Sequence, residues 1–246
     1  MSESLTEAEL RLLMEVVEAG RRDEPTAGLP WAVLDRLAVL VPVEAISCPE
    51  FDLPRGRPML DQWWEGGVRT LTIGDEDGVD APEYWESLRQ FEPCTYPERT
   101  GDLHTPVRWS DFYTRAQLRD TAHYADYRRT EGFEHGLHLA FPAPPGVVRR
   151  VSLWRGPGRD FSERDRLVLE LLRPHLWEIR GRRPGLPKLT RREQEVLRLV
   201  DAGLGNPEIA RELVVSVATV RKHLEHIYDR TGVRTRGAAA ALMRHS

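Results

Sequence analysis

Apolar and polar residues repeat along the chain with two periods, one typical of helices and one typical of strands. Where apolar residues recur every three or four positions, the pattern predicts an amphipathic helix. Where β-branched and aromatic residues cluster between turn residues, it predicts a strand. Helices are therefore predicted at 7–20, 31–40, 83–91, 110–121, 124–130 and 162–180. Strands are predicted at 43–51, 68–73, 133–141 and 147–155, and residues 93–109 are expected to be irregular.

Start and stop signals place the ends of several of these helices. The stretch Ser4-Leu-Thr6-Glu-Ala-Glu9 offers two overlapping capping boxes, and Gly20 is expected to end the first helix. Ser162 is the predicted cap of the longest helix, in which Pro174 removes one hydrogen bond and predicts a kink.

The order of these elements predicts two domains. Residues 1–180 combine antiparallel strands with helices before, between and after them, so we expect an α+β domain of the GAF or PAS type. The stretch Gly181-Arg-Arg-Pro-Gly-Leu-Pro187 has the composition of a linker. Residues 188–246 are expected to form an all-α domain of four helices, the last at 236–244.

The second domain contains two short helices joined by a tight turn. Asn206 is the predicted cap of the first helix, followed by Pro207, and Ser216 is the predicted cap of the second. The second helix has one apolar face, formed by Val217, Val220, Leu224 and Ile227. This arrangement predicts a helix-turn-helix whose second helix is the recognition helix.

The outward positions of that recognition helix have the chemistry needed in a major groove. They are Ala218, Thr219, Arg221, Lys222 and Glu225. Arginine and lysine bind guanine or phosphate, and a carboxylate accepts from the cytosine amino group. On spacing alone, the alternative is a solvated charged face on a small helical bundle.

Charge is unevenly distributed along the 246 residues. Residues 186–246 hold 11 Lys+Arg against 7 Asp+Glu, whereas residues 1–185 hold 24 against 32, giving net charges of +4 and −8. A basic domain on an acidic body fits a nucleic-acid partner for the carboxyl-terminal part alone. No apolar run predicts a membrane span or a signal peptide, so we expect a cytoplasmic protein.

The motifs of the second domain carry a family resemblance. They are Leu189-Thr190-x-Arg192-Glu193-x-Glu195-Val196-Leu197, Asn206-x-Glu208-Ile209-Ala210, Leu213, Ser216, Thr219-Val220 and His223-Leu224. Together they closely resemble the LuxR/FixJ-type helix-turn-helix over residues 187–244. Residues 1–185 are more distantly similar to GAF-like regions of actinobacterial regulators of this class, through motifs such as Ser110-Asp-Phe-Tyr113.

The resemblance implies a four-helix DNA-binding domain that dimerises on double-stranded DNA with a pseudo-palindromic operator. RNA polymerase and a small-molecule ligand stay open as further partners. The implied DNA-binding residues are Thr219, Arg221, Lys222, Glu225, Arg192, Asn206 and Ser216. Pro207 replaces a frequent lysine of the family, and Glu225 either repels phosphate or binds a cytosine.

The input to the first domain is less defined. No lysine precedes Lys188, which argues against a phosphoacceptor receiver domain and a P-loop ATPase. An acyl-homoserine-lactone pocket is not excluded by length or aromatic content. Tryptophans that are candidates for a ligand pocket, or else for the core, are Trp63, Trp64, Trp85, Trp109 and Trp154.

Other chemistry in the first domain has weaker support. His135 and His138 have metal-like spacing, but on a strand they point to opposite faces, so we expect no metal or other cofactor. Cys48 and Cys94 form no C-x-x-C pair, which predicts buried or free thiols. Three roles stay open for the first domain: ligand sensing, a ligand-free dimerisation or protein-interaction scaffold, and an enzyme. Of these three, we do not expect the enzyme.

Overall fold

The computed structural model describes residues 5–23, 26–74, 82–182, 189–231, 236–237 and 239. They belong to two compact units: the first ends at Arg182, and the described residues Ile73 and Gly74 are grouped with the second. None of the helices within these ranges is both long and apolar enough to cross a bilayer.

The first unit contains six α-helices and seven strands within the described ranges. The helices are α1 (Glu7–Arg22), α2 (Trp31–Leu40), α3 (Pro82–Gln90), α4 (Glu92–Thr100), α5 (Arg115–Arg119) and α6 (Glu163–Gly181). The strands are β1 (Ala45–Ser47), β2 (Glu50–Asp52), β3 (Arg57–Glu65), β4 (Val68–Ile73), β5 (Val107–Arg108), β6 (His135–Ala140) and β7 (Val147–Arg155). A 3-10 turn at Trp109–Asp111 and a π-helical turn at Tyr124–Arg128 complete the list.

The strands form one antiparallel sheet. The short strands β1 and β2 lie one after the other between β3 and β7, and each pairs with both. On one side of the sheet, β4 pairs with β3. On the other side, β6 pairs with β7 and β5 pairs with β6. β6 pairs with β7 over the whole length of β6, from His135 opposite Arg155 to Ala140 opposite Arg150. The strands predicted at 133–141 and 147–155 are therefore confirmed.

Helices cover both faces of the sheet, and each face has its own core. Because successive residues of a strand point to opposite faces, Val151 and Leu153 pack beneath α1, α2 and α6. Val148 and Trp154, from the same strand, pack against α3, α4 and α5. The predicted α+β architecture of an antiparallel sheet with flanking helices is confirmed. The narrower GAF or PAS assignment stays a prediction.

Several predicted boundaries change for local reasons. α1 continues past Gly20 to Arg22 because Gly20 is buried, where a Cβ would lie 2.2 Å from Ile179 Cδ1. The predicted strand at 43–51 is interrupted at Cys48 and Pro49, between β1 and β2. The Thr6–Glu9 capping box is present, and Ser4 lies outside the described residues.

Two elements were not predicted. Residues 57–65 form the long strand β3, and residues 92–100 form helix α4 although Pro97 lies within it. The helices predicted at 110–121 and 124–130 are confirmed only in part, as α5 and as the π-helical turn. Ser162 caps α6 as predicted, and α6 is continuous through Pro174. A kink at Pro174 stays a prediction.

The second unit is helical, as predicted. It contains α7 (Arg191–Asp201), α8 (Asn206–Glu212) and α9 (Val217–Thr231). Its core is formed by the apolar faces of these helices, among them Val196, Leu197, Ile209, Val220 and Leu224. Most of the predicted fourth helix, at 236–244, lies outside the described residues.

Candidate nucleic-acid interface and buried polar cluster

The first helix of the helix-turn-helix begins one residue earlier than predicted. Gly205 is the cap of α8, and its N–H donates to Glu208 Oε2 at 2.6 Å. The cap predicted at Asn206 is therefore wrong, because Asn206 is already the first helical residue of α8. Asn206 Oδ1 accepts from Arg236 Nη1 at 2.7 Å, so this side chain holds residue 236 against the start of α8.

The turn between α8 and α9 contains Val214 with a φ of 52°, the single non-glycine residue at positive φ within the described ranges. A β-branched residue is strained in this conformation. Arg192 stabilises the turn: its guanidinium donates to the Leu213 carbonyl and to Glu195 Oε2, the latter at 2.9 Å. Arg192 is thus a positioning residue here, and its predicted phosphate contact stays a prediction.

Ser216 caps α9 as the sequence predicts. Its Oγ accepts from the Thr219 N–H at 3.0 Å and lies 2.8 Å from Thr219 Oγ1. Since the free amides of the first turn are what a cap satisfies, this pair fixes the start of the helix. Thr219 is half-buried, with its hydroxyl already engaged.

α9 separates its apolar and charged residues onto opposite faces. Val220, Leu224 and Ile227 are buried, whereas Arg221 and Lys222 are exposed. Glu225 and His226 are also exposed on the outer side. Neither Arg221 nor Lys222 makes a hydrogen bond or an ion pair with another residue that the structure describes, so both cations are free to meet an anionic partner.

The candidate tryptophans of the first unit do not all lie together. Trp63, Trp109 and Trp154 share one core, with ring centroids 6.4 Å apart for Trp63–Trp154 and 5.5 Å apart for Trp109–Trp154. Trp85 is buried in the same core. Trp64 lies on the opposite face of the sheet, where its Nε1 donates to Asp35 Oδ1 at 2.8 Å.

A histidine with a fixed tautomer lies at the centre of that aromatic core. Trp109 Nε1 can only donate, and it donates to His138 Nε2 at 2.9 Å. The proton of His138 is therefore on Nδ1, which donates to Ser152 Oγ at 2.8 Å. Burial lowers the pKa of His138, and the nearby Arg150 and Arg128 lower it further, so the ring is neutral. His135 lies on the other face of β6, near Asp160.

Sequence reasoning missed a second buried pair of polar residues, Arg128 and His123. Arg128 donates to Glu131 Oε2 at 2.7 Å, and its guanidinium carbon lies 4.9 Å from the centroid of the Trp154 ring. Burial, followed by the charge of Arg128, lowers the pKa of His123 to about 2. Helical periodicity does not show which residues of other elements they contact, so only the fold places Arg128 beside Trp154 and His123 beside Arg128.

The two cysteines lie in the two different cores, one on each face of the sheet. Burial raises the pKa of the Cys94 thiol, and it raises the pKa of the Cys48 thiol to about 12. Both thiols are therefore protonated at neutral pH, as expected for buried thiols.

Comparison with known proteins assigns the second unit. Residues 187–243 match the family described as bacterial regulatory proteins, luxR family. The monoamine regulon transcriptional regulator of Klebsiella aerogenes is 34% identical over 157 residues, which are 63% of this chain and 68% of that protein. The chain belongs to the luxR family of bacterial regulatory proteins. Its second unit is the helix-turn-helix domain of that family.

Other similarities of this luxR-family chain are narrower or weaker. The probable transcriptional regulatory protein NarL of Mycobacterium tuberculosis is 45% identical over 65 residues, 26% of this chain and 30% of that protein's length. A solved structure of Escherichia coli SdiA is 18% identical, covering 96% of this chain and 97% of that one, with a TM-score of 0.42.

Proposed function

We propose that this luxR-family chain is a transcriptional regulator that binds double-stranded DNA as a homodimer, with α9 in the major groove. The observation that carries the proposal is the outer face of α9, where Arg221 and Lys222 are exposed and have no partner in the described chain. A helix capped at Ser216 presents these cations from a rigid element, as base and phosphate contacts require. A protein that binds operator DNA works in the cytoplasm.

The experiment is a binding titration with DNA selected from a random pool, followed by fluorescence anisotropy. Arg221→Ala and Lys222→Ala should each weaken binding, and loss of a base contact costs about 1–3 kcal/mol and relaxes sequence preference. Affinity should also fall as salt rises, since phosphate neutralisation releases counterions.

Arg198→Ala is the matched control, because Arg198 is an exposed cation of α7 in the same unit. It removes one positive charge without touching α9. If Arg198→Ala weakened binding as much as Arg221→Ala and Lys222→Ala, the effect would be general electrostatics and α9 would not be the recognition helix.

For the first unit, we propose ligand sensing rather than catalysis, with homodimer geometry as the output. Support comes from β7, whose adjacent residues Arg149 and Arg150 point to opposite faces of the sheet. Arg149 bonds Glu50, and Glu50 pairs with Arg180 in the last turn of α6. Arg150 lies in the aromatic core on the other side. One strand thereby connects an interior core with the helix that ends the unit.

A ligand-free scaffold is the alternative for the first unit. Calorimetric titration of the full chain with candidate small molecules separates the two roles, since a scaffold gives no saturable heat.

A further inference from the structure

A small cleft lies between α4 and the face of the sheet that carries the aromatic core. Its walls are largely apolar, formed by Pro93, Pro97, Val107 and Val148. It has room for about one water molecule. A ligand larger than a water molecule enters only when the lining side chains move apart, and a small molecule requires less movement than a long acyl chain.

The charged residue at the inner end of this cleft is Arg150. The residue is 5% exposed, its Nη1 donates to the Cys94 carbonyl at 3.4 Å, and its guanidinium carbon lies 5.7 Å from the centroid of the Phe51 ring. Its Nε is buried without a hydrogen-bond partner. Arg150 forms no ion pair with a carboxylate of the described chain.

A buried guanidinium without a counter-charge is costly, and folded proteins normally pair it. The surroundings supply no counter-charge, because the carboxylate of Glu131 is already paired with Arg128 and both His123 and His138 are neutral. Glu98 also lines the cleft: burial raises the pKa of its carboxyl and the charge of Arg150 lowers it, but the two side chains form no ion pair. The guanidinium of Arg150 therefore has a carboxyl nearby but no described carboxylate in direct contact.

We infer that this cleft binds a small organic carboxylate, with Arg150 as its anchor. The free Nε–H forms part of the planar edge through which a guanidinium binds a carboxylate. The short apolar part of the ligand lies against Val107 and Val148. A single guanidinium and apolar walls suit a monoanion, whereas a phosphate dianion needs more donors and is repelled by Glu98.

This inference rests on the sensing role proposed for the first unit, and it is tested without DNA. Isothermal titration calorimetry on the full chain uses sodium acetate, sodium propionate and sodium benzoate as probes, with sodium chloride and sodium phosphate at matched ionic strength. We expect saturable binding of at least one carboxylate. Arg150→Gln should weaken it at least tenfold, and Arg150→Lys should weaken it less because the charge is kept. Arg119→Gln, an exposed arginine of α5, is the matched control and should bind like the wild type.

The stability of the ligand-free chain separates an anchor from a structural arginine. Because Arg150 is a buried charge without a counter-ion, Arg150→Met should leave the melting temperature unchanged or raise it, while abolishing the rise that the carboxylate produces in the wild type. A lower melting temperature for Arg150→Met with no carboxylate effect in the wild type would overturn the inference. So would equal binding of phosphate or chloride, or unchanged carboxylate binding in Arg150→Gln. Failure of the DNA-binding proposal is measured separately, as absence of DNA binding by the wild type.

Discussion

Glu50 is the counter-charge of two largely buried arginines, and its removal should destabilise the first unit strongly. Glu50 is 7% exposed and accepts from Arg149 Nε at 2.7 Å and from Arg149 Nη2 at 3.3 Å. It also pairs with Arg180, whose Nη1 has no partner. Glu50 therefore stabilises β2, β7 and α6 together.

The expected magnitude of Glu50→Gln follows from this burial. The variant keeps the shape but leaves two guanidinium groups without an anion, and breaking a buried pair costs about 3–5 kcal/mol. Since glutamine still accepts one bond, we expect the lower end, about 3 kcal/mol. For a unit of about 180 residues this lowers the melting temperature by roughly 6–12 °C.

The assay can report on the first unit alone, because all seven tryptophans of the chain lie between residues 31 and 177. Tryptophan fluorescence during thermal or urea unfolding therefore follows that unit and not the helix-turn-helix. Glu15→Gln is the matched control: Glu15 makes the same kind of pair with Arg36 at 2.7 Å, but both side chains are half exposed. Such a pair contributes about 0–1 kcal/mol.

Equal losses in Glu50→Gln and Glu15→Gln would refute the reasoning. The pH dependence gives a second test. Burial raises the pKa of Glu50, but the charge of Arg180 and the hydrogen bond from Arg149 outweigh this and lower it overall. A lowered pKa in the folded state contributes stability above the ordinary glutamate pKa of about 4.5, and this is lost as the pH falls through the folded pKa. That loss should be absent from Glu50→Gln.

Two further predictions concern the same unit. His123 and His138 have lowered pKa values in the folded chain, so below about pH 6.5 the unfolded chain binds protons that the folded chain does not. As the pH falls through this range, each histidine should therefore lower the free energy of unfolding by up to about 1.4 kcal/mol per pH unit. Urea unfolding between about pH 7.5 and 5 should show a smaller slope in His138→Gln, and an unchanged slope would contradict the assignment. Gly20→Ala places a Cβ 2.2 Å from Ile179 Cδ1 and should cost about 1–3 kcal/mol in spite of better helix propensity. The double variant Gly20→Ala/Ile179→Ala should lose less free energy of unfolding than the sum of the losses in the two single variants, measured by thermal unfolding. If the two losses simply added, the clash would be excluded.

Elements whose signals are local were predicted well. The bounds of α2 at Trp31–Leu40 follow from its apolar spacing. The caps at Ser162 and Ser216 follow from side chains within a few residues of the helix start. The charged face of α9 followed from helical spacing in the same way. These features need no knowledge of the rest of the fold.

The strand β3 was missed because its inward positions are not all apolar. Leu60 and Trp64 alternate with outward residues, but Gln62 lies between them at 0% exposure. Its amide accepts from the Leu29 N–H at 2.9 Å and donates to the Leu29 carbonyl at 2.7 Å. This partner is 33 residues away in the sequence, so the local pattern of apolar residues cannot indicate the contact. The turn at Gly66, with positive φ, was the available signal for a hairpin.

Helix α4 was missed for the opposite reason, because two prolines obscured a short helix. Pro93 lies in the first turn, where a missing N–H costs little, and Pro97 removes one internal bond. Gly101, with a φ of 74°, ends the helix through its N–H to the Pro97 carbonyl at 2.8 Å. Without α4 the cleft beside Arg150 has no outer wall, so sequence alone could not indicate it.

The two adjacent arginines of β7 connect the predictions for stability and for ligand binding. Arg149 is neutralised by Glu50 on the side of α6, whereas Arg150, one residue later on the opposite face, forms no ion pair with a described carboxylate. Because both belong to one strand, a carboxylate that repositions Arg150 acts on the same backbone that holds Glu50 and, through it, Arg180 near the end of α6. If this coupling exists, a carboxylate probe should change DNA affinity in the wild type but not in Glu50→Gln, measured at a temperature where both are folded. An equal response of the two proteins would show that the signal does not pass through Glu50.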